Sequence, residues 1–152
     1  MTSAPPVIVG YDGSDGAKLA LRVAAREAEA HGVGLTILAA WHPASVNAAA
    51  IAFTTSPDAN FSTELAGGML SVLEEAKALV HGFARELQPE TLLVEGPAAA
   101  ALCRASRDAT MLVVGRRGRG AVAELILGSV SHQCVLHSHC PVLVVAHADD
   151  RS

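Results

Sequence analysis

The sequence predicts an α/β domain, a parallel sheet of five strands with helices on both faces. Three observations carry that prediction. Five short apolar runs, from Pro6–Gly10 to Pro141–Val145, hold charge only at the two ends of the third, as strands buried on both faces do. Between them lie segments whose apolar residues recur at three- and four-residue spacing. Gly, Pro, Asp and Ser mark the junctions. Strand and helix alternating in this way build βαβ units. In such sheets ligands sit at the carboxyl ends of the strands, where the winding direction reverses.

Taken in order, Pro6–Gly10 is the first strand. Asp12, Gly13 and Ser14 follow, with Gly13 easing the turn and Ser14 suited to cap the next helix. That helix runs from Asp15 to Ala30 on a stripe of Ala17, Leu21, Ala24 and Ala28, and Gly32 and Gly34 stop it. Leu35–Trp41 is the second strand. His42 to Asn60, with Pro43, Pro57 and many small polar residues, reads as a long mobile loop, a length that is uncommon unless functional or disordered. Ser62–Leu87 is the longest helix, its stripe running Leu65, Met69, Leu73, Ala76, Val80, Phe83 and Leu87, with Pro89 ending it. Glu90–Glu95, Thr110–Gly115 and Pro141–Val145 are the remaining strands. Ala98–Arg107, entered by Gly96-Pro97, and Gly128–His137 are the remaining helices. Asp12, Trp41, Gly96 and Gly115 all lie just past strand ends and could line one crevice.

The chain has 152 residues, 51% hydrophobic, 17% charged and 3% aromatic. That suits one domain over 1–152, with a core from about 6 to 146 built of Ala, Val and Leu. A net charge of -4 gives no global case for nucleic acid or a membrane surface as partner. Three cysteines, Cys103, Cys134 and Cys140, make no even disulfide set, which favours a reducing compartment. MTSAPP shows no secretory leader, and no apolar run reaches the roughly 18–20 residues of a membrane span. The expected location is the cytoplasm.

The chemistry concentrates in Gly115–Ser131, GRRGRGAVAELILGSVS. It reads Gly115-x2-Gly118-x9-Gly128-Ser129, with Arg116, Arg117 and Arg119 beside the first two glycines. Backbone without Cβ can approach a phosphate closely and can take positive φ. Successive N–H groups make an anion-binding concavity, and a helix N-terminus adds free donors and a positive dipole end. Ser129 and Ser131 are candidate hydroxyl donors. A Gly-rich surface turn with solvated arginines is the plainer alternative. Glycines at two levels, clustered arginines and a Gly-Ser before the last helix together favour a phosphate cradle.

Other patterns compete less well. Gly118-x-Gly120-x-x-Ala123 fits a dinucleotide fingerprint, but it follows the fourth strand and has no acidic partner at ribose distance. There is no Gly-x4-Gly-Lys-[Ser/Thr]. His132, Cys134, His137, His139 and Cys140 lack zinc-ligand spacing, and Cys134 fits the buried side of a helix. No Ser/His/Asp or Cys/His triad can be assembled.

Val7-Ile-Val-Gly-Tyr-Asp-Gly-Ser14, the glycine loop and Cys140-Pro-Val-Leu-Val-Val145 resemble the universal stress proteins, over about Pro6 to Ala146. The G-x2-G-x9-G-[S/T] spacing resembles that family's ATP-binding branch. The resemblance implies a Rossmann-like (adenine nucleotide alpha hydrolase-like) five-stranded fold, a homodimer, and binding of ATP, ADP or AMP in stress regulation. By the same resemblance, Gly10 lies beside the nucleotide and the backbone at Ala39-Ala40 reads the adenine edge. Asp12 sits near the ribose and phosphates or holds Mg²⁺. Gly115, Arg116, Gly118, Arg119 and Gly120 wrap the ribose and phosphates, and Gly128, Ser129, Val130 and Ser131 donate to the phosphates.

Two functions follow from this reading. One is a nucleotide-binding regulatory module. The other is a slow ATP-hydrolysing or phosphotransferring enzyme, for which Asp12 with Mg²⁺ is the one candidate group and no base is legible. The module is favoured. The last strand, as the end of a doubly wound order, is expected at a sheet edge, where Val142–Val145 would pair with a second copy across a two-fold axis.

Overall fold

The computed structural model describes residues 3–42, 59–118 and 126–147, with backbone alone for 59–63. Five strands, β1 (Val7–Gly10), β2 (Leu35–Trp41), β3 (Glu90–Glu95), β4 (Met111–Gly115) and β5 (Val142–Val145), form one sheet in the order β3-β2-β1-β4-β5. Every pairing is parallel. The helices are α1 (Asp15–His31), α2 (Ala59–Phe83), α3 (Ala98–Ala105) and α4 (Ser129–His137). Most of the expected loop 42–60 lies outside the described residues, but its last two positions already belong to α2.

Strand side chains alternate between the faces, and the apolar runs therefore feed two cores. Val7, Val9, Leu35, Ile37, Ala39 and Val113 pack with α1 and α2. Ile8, Leu38, Leu112 and Val114 pack with α3 and α4. This is why β1 and β4 are apolar along their length rather than at every second position, and why β2 is broken only by the buried Thr36. The chain builds outward from β1 through β2 to β3, then returns to the other side of β1 for β4 and β5. The reversal falls between β1 and β4.

α1 starts and stops where the sequence says it should. Gly13 takes φ 80, the Ser14 hydroxyl accepts from the Ala17 N–H at 3.2 Å, and Gly32 closes the helix at φ 64. Its buried face is five alanines and one leucine, and small side chains let it lie close to the sheet. Arg22 rests over the Phe83 ring at 4.9 Å, joining α1 to α2.

α2 ends at Phe83, four residues before the expected Leu87. Ala84 still bonds to Val80 at 2.7 Å, but Leu87 bonds only three residues back, to Ala84. The tightened turn ends the helix before Pro89 is reached, β3 follows at Glu90, and Leu87 still packs on the first core. α3 is likewise shorter than expected, passing into a single 3₁₀ turn at Ser106–Asp108. The buried Ser106 hydroxyl donates to the Cys103 carbonyl at 2.7 Å and accepts from the His139 N–H at 2.9 Å, tying this turn to the approach to β5. β5 lies at one edge of the sheet and the more exposed β3 at the other. Among the described residues no helix is long and apolar enough to cross a membrane.

Candidate functional site

At the carboxyl ends of β1 and β4 the structure opens a cavity of about 310 Å³, within the range of small-ligand sites. Each wall comes from a different element. Gly10 ends β1 and Tyr11, Asp12 and Ser14 follow it, while Leu38 and Ala40 come from β2. Ala98 and Leu102 come from α3, Val114, Gly115, Arg117 and Gly118 from β4 and its extension, and Gly128–Ser131 from the start of α4.

Asp12 is fixed by the turn that carries it. One carboxylate oxygen, Oδ1, accepts from the Ser14 N–H at 2.9 Å, the local bond that makes Asp a turn residue. The other, Oδ2, lies 2.7 Å from where a Cβ on Gly118 would be. The other glycines are equally confined. A Cβ on Gly115 would lie 3.1 Å from the Gly16 carbonyl, one on Gly16 2.7 Å from the Arg117 oxygen, and one on Gly128 3.3 Å from the Arg116 oxygen. A Cβ on Gly10 would meet Leu102 at 3.0 Å. The glycines of the loop are thus places where backbone meets backbone or carboxylate. Positive φ, the other expected reason for them, is not the cause: among the described glycines it occurs only at Gly13, Gly32 and Gly96.

The x9 spacing has a structural meaning. The Arg116 carbonyl accepts from the Gly128 N–H at 2.9 Å and from the Ser131 hydroxyl at 2.8 Å, while the Arg116 N–H donates to Val145 at 2.8 Å. The loop's two ends are therefore fastened together above β4 and β5. The Ser131 hydroxyl, 2% exposed, is committed to this fastening and to the Gly128 carbonyl at 3.0 Å. α4 also brings backbone donors to the cavity. Its first intrahelical bond runs from His132 N to Gly128 O, so the N–H groups of Ser129, Val130 and Ser131 have no acceptor within the helix.

Of the residues singled out in the sequence, Gly10, Asp12, Ala40, Gly115, Gly118 and Gly128–Ser131 come together here. Ala39 is 1% exposed and its side chain packs in the other core. Arg116 contributes backbone to the loop's neck, and its neighbour Arg117 lines the cavity. Arg119 and Gly120 lie outside the described residues. Trp41 and Gly96 do not line the crevice expected to include them. They bond to each other at 2.8 Å, where β2 and β3 end. Sequence reasoning passed over Gly16, Leu38, Ala98 and Leu102. Period-two alternation from Ala40 finds Leu38, and four-residue spacing after Gly96-Pro97 finds Ala98 and Leu102. Nothing local marks Gly16. Among the described residues no three His, Cys, Asp or Glu side chains are grouped to hold a metal ion.

The profile of the universal stress protein family matches residues 5–146. The chain is similar to a universal stress protein of Thermus aquaticus, 35% identical over 141 residues that cover 91% of this chain and 96% of that one. It is 34% identical over 145 residues to a universal stress protein of Mycobacterium tuberculosis, covering 95% of this chain but 49% of the relative, so it spans about half the length of that protein. Among solved structures it is similar to a universal stress protein in complex with cAMP, with a TM-score of 0.67 and 26% identity over 95% of this chain and 98% of that one.

Proposed function

The chain belongs to the universal stress protein family, and from that premise we propose that it is a regulatory module that binds an adenine nucleotide, ATP by its glycine pattern, in the cavity between β1 and β4. One observation carries the reading. The Gly115–Gly128 loop is fastened at Arg116 so that the opening turn of α4 faces a cavity of about 310 Å³. An N-terminus with unsatisfied N–H groups, a basic side chain and closely packed glycines suits phosphate. The similar solved structure that holds cAMP supports an adenine nucleotide as the class of ligand.

In this reading the phosphates lie against the N–H groups of Ser129, Val130 and Ser131 and beside Gly115, Gly118 and Arg117, with Arg119 and Gly120 continuing the loop. Asp12 faces the ribose. The base rests on the apolar wall of Leu38, Ala40, Ala98 and Leu102, with the backbone at Ala39-Ala40 reading its edge. Mg²⁺ fits as an ion held mainly by phosphate oxygens and water with Asp12 as its one protein carboxylate. Hydrolysis would need a residue to position water. Asp12 is the one carboxylate among the described residues of the cavity wall, and no dedicated base is legible in the sequence, so binding rather than turnover is the reading. Pairing of β5 with a second copy would complete a homodimer, and the expected setting is the cytoplasm.

Calorimetric titration of the purified chain with ATP, ADP, AMP and cAMP tests the proposal. Saturable binding of one nucleotide per chain is expected, tightest for ATP with Mg²⁺. No heat with any of the four would refute it.

A further inference from the structure

The second core holds all three cysteines of the chain. Cys134 of α4 is fully buried, and Cys103 of α3 and Cys140 ahead of β5 are half-buried against the same cluster. Cys103 and Cys134 belong to one cluster where α3 packs on α4. The Cys103 thiol lies 3.8 Å from the carbonyl oxygen of Gln133, the residue before Cys134. Both helices also build the cavity. Leu102, the residue before Cys103, lines it, and so does Ser131, one turn before Cys134. Nothing in the nucleotide reading uses these sulfurs.

We infer that Cys103 and Cys134 are a thiol–disulfide pair whose oxidation by a peroxide draws α3 onto α4 and weakens nucleotide binding. Its consequence for binding rests on the function proposed above, whereas the disulfide itself does not. The two thiols divide the chemistry by exposure. Burial pushes the Cys134 thiol up to about 12, with Cys103 and then Cys140 adding to the rise, so it stays protonated at neutral pH. Cys103 is the sulfur that solvent reaches. Its thiolate attacks hydrogen peroxide, forming an S–O bond as the O–O bond breaks and hydroxide leaves. Cys134 then attacks the sulfenic sulfur, its proton passing to the departing hydroxyl, which leaves as water. Two thiols and one peroxide thus give one disulfide and two waters.

A disulfide holds its sulfurs about 2 Å apart. Closing it ties the turn of α3 that carries Leu102 to the turn of α4 that follows Ser129–Ser131, two walls of the cavity. Cys140 in the same cluster is the competing partner.

The test treats the full chain with hydrogen peroxide, alkylates remaining thiols and maps peptides without reduction. Fragmentation is needed because Cys134 and Cys140 share one tryptic peptide. The expected product is an intramolecular Cys103–Cys134 link, reversed by dithiothreitol, absent in Cys103→Ser and retained in Cys140→Ser. ATP titration of the oxidised chain should give a Kd raised tenfold or more, restored on reduction. A link that runs to Cys140, forms only between chains or does not form overturns the pair. A Cys103–Cys134 link with unchanged ATP affinity overturns the switch and leaves the nucleotide site standing. If the reduced chain binds no adenine nucleotide, the proposed function has failed, and the coupling falls with it whatever the peptide map shows.

Discussion

The two faces of the sheet are covered unequally. On one side lie α1 and α2, of 17 and 25 residues; on the other lie α3 and α4, of 8 and 9 residues. The long helices pack on Val7, Val9, Leu35, Ile37, Ala39 and Val113, the buried strand residues of their face. The short pair begins at the carboxyl edge, where Ala98 of α3 and Ser129 of α4 line the cavity together with Leu38, Ala40 and Val114. Ala39 and Ala40 are adjacent and identical, yet one packs in the first core and the other lines the cavity. On this fold the site lies between the sheet and the starts of the shorter layer's helices, and strand parity decides which residues of β2 see it.

The strongest way to test that division is to damage each face separately. Leu21 of α1 is 0% exposed in the first core, and Leu21→Ala is expected to cost about 2–5 kcal/mol of stability. ATP affinity of the molecules that remain folded should stay within about twofold. Leu102→Ala, on the other face, removes a cavity wall. Its stability loss should fall at or below the low end of that range, while its effect on ATP affinity exceeds that of Leu21→Ala. Urea unfolding and calorimetric titration of both variants decide it, and equal effects on affinity would dissolve the distinction between the faces.

Within the short-helix face, Gly118→Val should come next in size. Gly118 is itself exposed, so folding has little at stake. Its Cβ would occupy a point 2.7 Å from Asp12 Oδ2, and the carboxylate is held on its other side by Ser14. Either the loop lifts or Asp12 swings away, and the cradle loses its shape in both cases. ATP affinity is expected to fall at least a hundredfold, about 2.7 kcal/mol, with the circular dichroism spectrum unchanged. Gly118→Ala should be nearly as harmful, because the Cβ alone makes the clash. A binding-competent Gly118→Val would place the phosphates elsewhere.

Much of this architecture was legible in advance, and the reasons differ by element. The apolar runs mark the strands because a strand covered on both sides has no polar face to show. Gly13-Ser14 marks the start of α1 because cap chemistry is local. The glycine loop is readable because its spacing is the length of chain needed to leave β4 and return to Arg116. Helix ends proved less legible. α2 and α3 stop early through tightened turns set by where the next strand begins, and no residue at Phe83 or Ala105 announces it. Gly16 was illegible for a related reason. It must be glycine because the Arg117 carbonyl passes over it, a contact a hundred residues away in the chain. For Arg116 the place in the motif was plain in the sequence, but not that its carbonyl and N–H fasten the neck of the loop.

The sheet's two edges extend the comparison. β5 is a half-buried run of four apolar residues, whereas β3 carries Glu90 and Glu95 at its ends. Charge at an edge discourages pairing, and a bare apolar edge invites it. If β5 pairs with a second copy, Val144→Lys should raise the dimer dissociation constant at least about tenfold, some 1.4 kcal/mol. A charge placed on β3, as in Leu92→Lys, should leave association alone. Light scattering across a concentration series reads both variants. A wild-type chain that stays monomeric at tens of micromolar (on the order of a weak Kd) would remove the dimer altogether.

The smallest expected effect separates two neighbouring arginines. Arg117 lines the cavity, so Arg117→Ala should remove one charge-assisted contact to phosphate, on the order of 1–2 kcal/mol or roughly five- to thirtyfold in ATP affinity. Arg116 fastens the loop through its carbonyl and N–H, both of which survive truncation of the side chain. Arg116→Ala should therefore change affinity by no more than about twofold. Salt sharpens the contrast. The screening length shrinks from about 10 Å at 0.1 M to about 3 Å at 1 M, so added salt should weaken ATP binding more in the wild type than in Arg117→Ala, and by similar amounts in the wild type and Arg116→Ala. Titrations at two salt concentrations give the comparison directly. The reverse order would mean that the Arg116 side chain reaches the ligand and that Arg117 is the bystander.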